Sequence, residues 1–132
     1  MPHYVDAPAL TRLFVHRALR AALVAGLLDA EAGSAIERAL GAALRDEERL
    51  GGSFGPSVLT NAATALTGLL WNLPLRSRAL EAWLTERQSP DGSWAAEPLY
   101  LVPAEDLRPA SWGHAALTTA VVVLALAGLR AT

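Results

Sequence analysis

The chain has no cysteine, which excludes disulfides, thiolate metal ligands and a cysteine nucleophile. It has no lysine either. All eleven basic residues are arginine, a codon-usage signature of GC-rich bacterial genomes that carries no functional meaning. An excess of one charge is lacking: the net charge is −2 over 132 residues, which argues against the basic footprint of a nucleic-acid binder. Long apolar runs are lacking too. The longest, Ala120 to Leu129, falls short of the roughly 20 residues needed to cross a bilayer. The opening MPHYVDAP has neither the basic segment nor the apolar stretch of a signal peptide, so the expected location is cytoplasmic. What is present in quantity is apolar side chain, at 52% of residues. That supports a folded single domain over residues 1–132.

The rest of the sequence is organised around Arg78 to Trp94, RALEAWLTERQSPDGSW. Ala79, Leu80, Trp83 and Leu84 share one side of a helix, and Arg78, Glu81, Thr85 and Glu86 fall mostly on the other. Pro90 and Asp91-Gly92 then break the helix into a tight turn. The turn delivers Trp94 at a fixed offset from Gln88, whose amide is expected to cap a neighbouring helix and lie flat on the indole. The pattern recurs forty residues earlier in degenerate form, RALGAALRDEERLGGSF, with Glu48 in place of Gln88 and Phe54 in place of Trp94. Gly26-Leu27, Gly68-Leu69 and Gly128-Leu129 each close an apolar run. Self-similarity at this period indicates stacked helical hairpins.

RQSPDGSW resembles the QW motif of the squalene cyclase and prenyltransferase repeat family, carried here by Gln88, Asp91, Gly92 and Trp94. SWGHAALTTAVVVLALAGL looks like the inner helix that follows such a motif, and the resemblance covers roughly residues 36 to 129. It implies an all-α fold in which alternating outer and inner helices form part of an α/α toroid around an apolar cavity. Five main helices, two and a half hairpins, would make an incomplete barrel. A HEAT-like solenoid is the alternative, and it leaves the Asp-Gly-Ser-Trp turn unexplained.

In chain order, residues 1–8 are a lead-in. The first helix is predicted over Ala9 to Leu28, with Leu10, Leu13, Phe14, Ala18, Ala21, Ala25 and Leu28 as its apolar face. Arg12, His16 and Arg20 make a basic stripe, read as a solvated face, with a diphosphate or carboxylate site as the functional alternative. The second helix is predicted to open on the capping box Ser34-x-x-Glu37. It ends in Asp46-Glu47-Glu48, read as a solvated acidic run. The third, Ser57 to Asn72, lies in a stretch with no charge from Leu50 to Leu75, so it must be buried on most sides. Its Ser, Thr and Asn side chains are expected to bond back to their own helix. Pro74 is expected to open the fourth helix. Residues 95–110 read as a long inserted loop, of the kind that forms lids or interfaces. The fifth helix runs from Ser111 to Leu129 and carries only His114 as a titratable group, expected to be a capping or core histidine.

The family's chemistry is carried over only in part. Its cyclases protonate an alkene with the acid of a D-x-D-D motif, which is absent here; the nearest acids are Glu105 and Asp106. Its protein prenyltransferases hold zinc through a cysteine that this chain lacks. No metal or other cofactor is therefore expected.

Two functions remain. The first is a small terpenoid-cyclase-like protein that binds or cyclises an isoprenoid between the uncharged helices. Glu105 and Asp106 would be its catalytic acids, and Trp94, Tyr100, Trp112 and His114 would contact substrate. The second is a non-catalytic accessory or interaction module. In either case the third and fifth helices would leave apolar sides facing water, so pairing with a second copy or another protein is expected, most simply as a homodimer.

Overall fold

Among the described residues, helix breakers and capping residues mark out five helices, α1 Pro8–Val24, α2 Ala30–Glu47, α3 Val58–Leu70, α4 Ser77–Glu86 and α5 Ala115–Arg130. The described residues also hold three short strands, β1 Tyr4–Val5, β2 Tyr100–Pro103 and β3 Pro109–Trp112. This computed structural model describes residues 4–5, 8–97, 100–103, 109–112 and 114–132, with backbone alone for the strands.

Helix α1 starts on Pro8, which fits the first turn because its missing N–H would have had no partner there. It ends with Gly26 at φ +79°. There Leu27 N–H donates to Ala22 O and Gly26 N–H to Leu23 O, a Schellman closure that needs a left-handed residue. Helix α3 closes the same way, with Asn72 at φ 52° as the left-handed residue. Leu73 N–H then donates to Gly68 O and Asn72 N–H to Leu69 O.

Three predicted helix starts are corrected. Helix α2 opens at Ala30, four residues before the expected box, because the Asp29 side chain accepts from Ala32 N–H at 2.8 Å. Ala30, Glu31 and Ala32 are helix formers, and Glu31 suits the positive end of the helix dipole. Helix α4 opens at Ser77 rather than Pro74, since Leu75 is turned inward against Gly68, whose Cβ position lies 3.1 Å from a Leu75 methyl. Helix α5 opens at Ala115 with His114 as its N-cap, because Ser111 and Trp112 belong to β3.

The lead-in and the inserted segment also differ from the expected loops. β2 and β3 pair antiparallel with Tyr100 opposite Trp112 and Pro103 opposite Pro109. β1 joins the other edge of β2, Tyr4 opposite Leu101. This small sheet was not foreseen.

The five-helix architecture is organised by α3, which packs against α1 on one side and α5 on the other, while α2 and α4 lie outside. Arg12 of α1 meets Thr64, and Arg20 meets Trp71 at the end of α3, so α1 and α3 run parallel. Gly128 near the end of α5 meets Leu69 near the end of α3, which gives α5 the same direction. The core joins Leu10 and Leu13 to Leu40, Leu44, Leu59, Ala62, Ala65, Leu80, Leu84, Trp94, Val122, Ala125 and Leu129.

The forty-residue repeat is visible atom by atom. Arg49 N–H donates to Ser53 O at 2.7 Å and Gly52 N–H to Arg49 O at 2.9 Å; Ser89 N–H donates to Ser93 O at 2.7 Å and Gly92 N–H to Ser89 O at 2.9 Å. Gly52 and Gly92 sit at φ +93° and +90°, a region open to glycine and strained for other residues. Each turn hands a buried aromatic to the next inner helix. Phe54 N–H donates to Asn61 Oδ1 of α3, and Trp94 N–H to Thr119 Oγ1 of α5.

Candidate functional site

The motif residues divide by role. Trp94 is 2% exposed, and its indole N–H donates to Leu84 O at 2.8 Å. The ring therefore locks the end of α4 into the core and presents no face to a ligand. Gln88 is exposed, and its amide donates to Gly92 O at 2.8 Å across its own turn. It does not cap a neighbouring helix as expected. The backbone spans the turn from residue 89 to 93, and the amide closes over it onto Gly92 O. Asp91 accepts from Ser93 N–H and Ser93 Oγ–H, and both bonds hold its carboxyl below the ordinary value of 3.8.

The remaining predicted contacts are dispersed. His114 uses Nδ1 to accept from Ala116 N–H, which caps α5. The backbones of Tyr100 and Trp112 face each other across the β2–β3 ladder. Glu105 and Asp106 lie outside the described residues. Glu97, at the start of the same segment, has a structural role that sequence reasoning missed. Its carboxylate accepts from Ser57 Oγ–H and from Leu59 N–H at 2.9 Å, placing negative charge on the N-terminus of α3.

The polar side chains of α3 do not line a cavity. Asn61 is wholly buried. It accepts from Phe54 N–H and donates to Gly55 O and Ser57 O. Thr67 donates to Ala63 O of its own helix, and Thr64 accepts from Arg12.

A second polar constellation lies at the α1–α3 seam, where the basic stripe turns inward. Arg12 Nη1 reaches both oxygens of Glu47 at 2.8 and 3.1 Å, and Nη2 reaches Thr64 Oγ1 at 3.3 Å. Its Nε is buried with no hydrogen-bond partner. One turn on, the buried Trp71 donates its indole N–H to His16 Nδ1 at 3.0 Å, the two rings meeting edge to face at 89°. Arg20 stacks over Trp71 with Cζ 5.2 Å from the ring centroid. The solvated reading of the stripe is thus corrected, and the expected apolar face of α1 holds only at Leu10 and Leu13, which lie in the core. The seam spends Arg12, His16 and Arg20 on α2 and α3, which rotates Phe14, Ala18, Ala21 and Ala25 out to solvent. Burial and repulsion from Arg12 hold the His16 imidazole below its ordinary value of 6.5. Trp71 went unnoticed in the sequence. The available signal was an indole ending an uncharged helix, where its N–H requires an acceptor.

Beyond the seam, a shallow depression of about 340 Å³ is lined by Arg17, Arg20, Ala21, Val24, Ala25 and Leu70. It continues the outward apolar face of α1, where Phe14 is 58%, Val15 52% and Val24 79% exposed. On α5, Val123 is 51% and Leu124 61% exposed. α3, by contrast, is enclosed by its neighbours, so the unpartnered faces belong to α1 and α5.

Among the described residues, no three histidine, aspartate or glutamate side chains gather so as to hold a metal ion. None of the helices there is long and apolar enough to cross a membrane. Comparison with protein-family models, with curated proteins and with solved structures returns no match to this chain.

Proposed function

We propose that the chain is a helical-repeat interaction module that associates with a second copy of itself. The observation that carries this is the pair of outward apolar faces on α1 and α5. Both helices sit at the edges of the parallel inner layer, on either side of α3. Contiguous apolar surface beyond a few hundred Å² is rare on monomers and marks an interface. The polar groups of the seam are absorbed in holding α1 in place, which supports an assembly role over a catalytic one. Sedimentation velocity at micromolar concentration without detergent is expected to show a defined oligomer. Phe14→Glu and Leu124→Glu, both at exposed positions, are expected to shift it to monomer while leaving the helical content unchanged. A wild-type chain that sediments as a monodisperse monomer sinks the reading.

One observation favours a second reading, the binding of an isoprenoid by a terpenoid-cyclase-like protein. The depression beside Leu70 has an apolar floor and two guanidinium groups at its margin, Arg17 and Arg20. That combination suits an apolar tail with an anionic head. Because Arg20 lies over Trp71, a prenyl diphosphate is expected to change tryptophan emission, and the corresponding prenyl alcohol to bind more weakly. Absence of any response to either compound retires this reading.

A further inference from the structure

We propose that His16 is a proton-operated latch that holds α1 to the C-terminal end of α3 and lets go in the mildly acidic range. Trp71 N–H reaches His16 Nδ1 at 3.0 Å. Indole can only donate, so Nδ1 must carry the lone pair and the imidazole must be neutral, with its hydrogen on Nε2. A second proton has one place to go, which is Nδ1. It would set N–H against N–H and leave the indole donor of a buried tryptophan without an acceptor.

Among the described residues, the surroundings offer the new charge no free counterion. On its own helix His16 has Arg12 and Arg20 one turn to either side. α2 brings Glu47, but both oxygens of that carboxylate are engaged by Arg12. α3 contributes Thr64 and Trp71 and has no titratable side chain along its length. Protonation therefore adds a third cation to a strip that holds two guanidinium groups and one committed carboxylate.

The depressed imidazole pKa sets the direction. The unfolded chain takes up the proton near 6.5, while the folded chain refuses it until lower pH. The stabilisation from a neutral His16 is therefore complete above pH 6.5 and drains away as pH falls through the lower folded value. Since the seam fixes α1 from one side only, the loss is local to α1. The latch holds whether or not the outward face of α1 meets a partner.

Hydrogen–deuterium exchange between pH 7.5 and 5.5, corrected for intrinsic exchange chemistry, reads the latch directly. Protection of the α1 amides is expected to fall at least several-fold in the wild type. His16→Asn, which offers a neutral oxygen where Nδ1 stood, is expected to flatten that response; His3 and His114 remain in both proteins, so their contributions cancel. An identical pH response in the two proteins overturns the proposal. If His16→Asn fails to fold, the His16 imidazole is titrated by NMR in the wild type and in Trp71→Phe, which keeps a ring and removes the N–H. The wild-type midpoint is expected below 6.5 with the proton on Nε2, and the Trp71→Phe midpoint is expected to rise. A wild-type midpoint at or above 6.5, or no movement in Trp71→Phe, also overturns it.

Discussion

Trp94 and Gln88 belong to one turn and carry unequal shares of its stability. Trp94 buries a large ring and satisfies its N–H within the core. Gln88 makes a single exposed bond to Gly92 O. Trp94→Ala is expected to cost about 3–5 kcal/mol, as for other large aromatics truncated in a core. Gln88→Ala should cost only about 0.5–1 kcal/mol, a solvent-accessible hydrogen bond. Chemical denaturation measures both, and comparable losses for the two would mean that the turn is held together differently. The seam residues teach a related lesson. Arg12 and His16 look solvent-facing in the sequence because their partners, Glu47 and Trp71, lie 35 and 55 positions away. A helical wheel has no access to pairings of that range.

At the level of elements, what was legible followed local chemistry. The existence of five helices was legible from apolar periodicity and lack of charge; the end of α1 was not, because Gly26 at φ +79° stops it at Val24, short of the expected Leu28. The burial of α3 followed from its lack of charge. What was not legible depended on competition. Ser34 has capping-box spacing, but Asp29 caps first and a helix already formed runs through the box. Pro74 can open a helix, yet the packing of Leu75 against Gly68 keeps that segment as a connection. β2 and the first half of β3 were read as loop because they contain Pro103 and Pro109, and Ser111 and Trp112 were read as the start of α5. These prolines stand opposite each other at the end of the ladder, where a missing N–H is tolerated. The site residues fared less well for the same reason. Trp94 is spent on packing, a task that any aromatic near a helix terminus can be recruited to perform, while His114 caps α5 as the sequence suggested.

At the level of the whole molecule, the two turns forty residues apart make the protein its own reference structure. The intact copy shows where an indole belongs: over the end of the outer helix, with its N–H on Leu84 O. The degenerate copy has Leu44 at the corresponding place and a phenyl ring in front of it. Beside Phe54 lies a hollow of about 80 Å³, walled by Gly41, Leu44, Arg45, Glu48, Leu73, Pro74 and Leu75. That hollow reads as the imprint of a missing indole, an unfilled mould beside the matching turn. The two copies should then be exchangeable parts. Phe54→Trp is expected to extend its second ring into the hollow, direct its N–H toward Leu44 O and raise the melting temperature, with a gain of about 0.5–2 kcal/mol typical of a filled cavity. A destabilised Phe54→Trp protein would mean that the first copy has been recast around its smaller ring, and that the likeness of the two turns stops at the backbone.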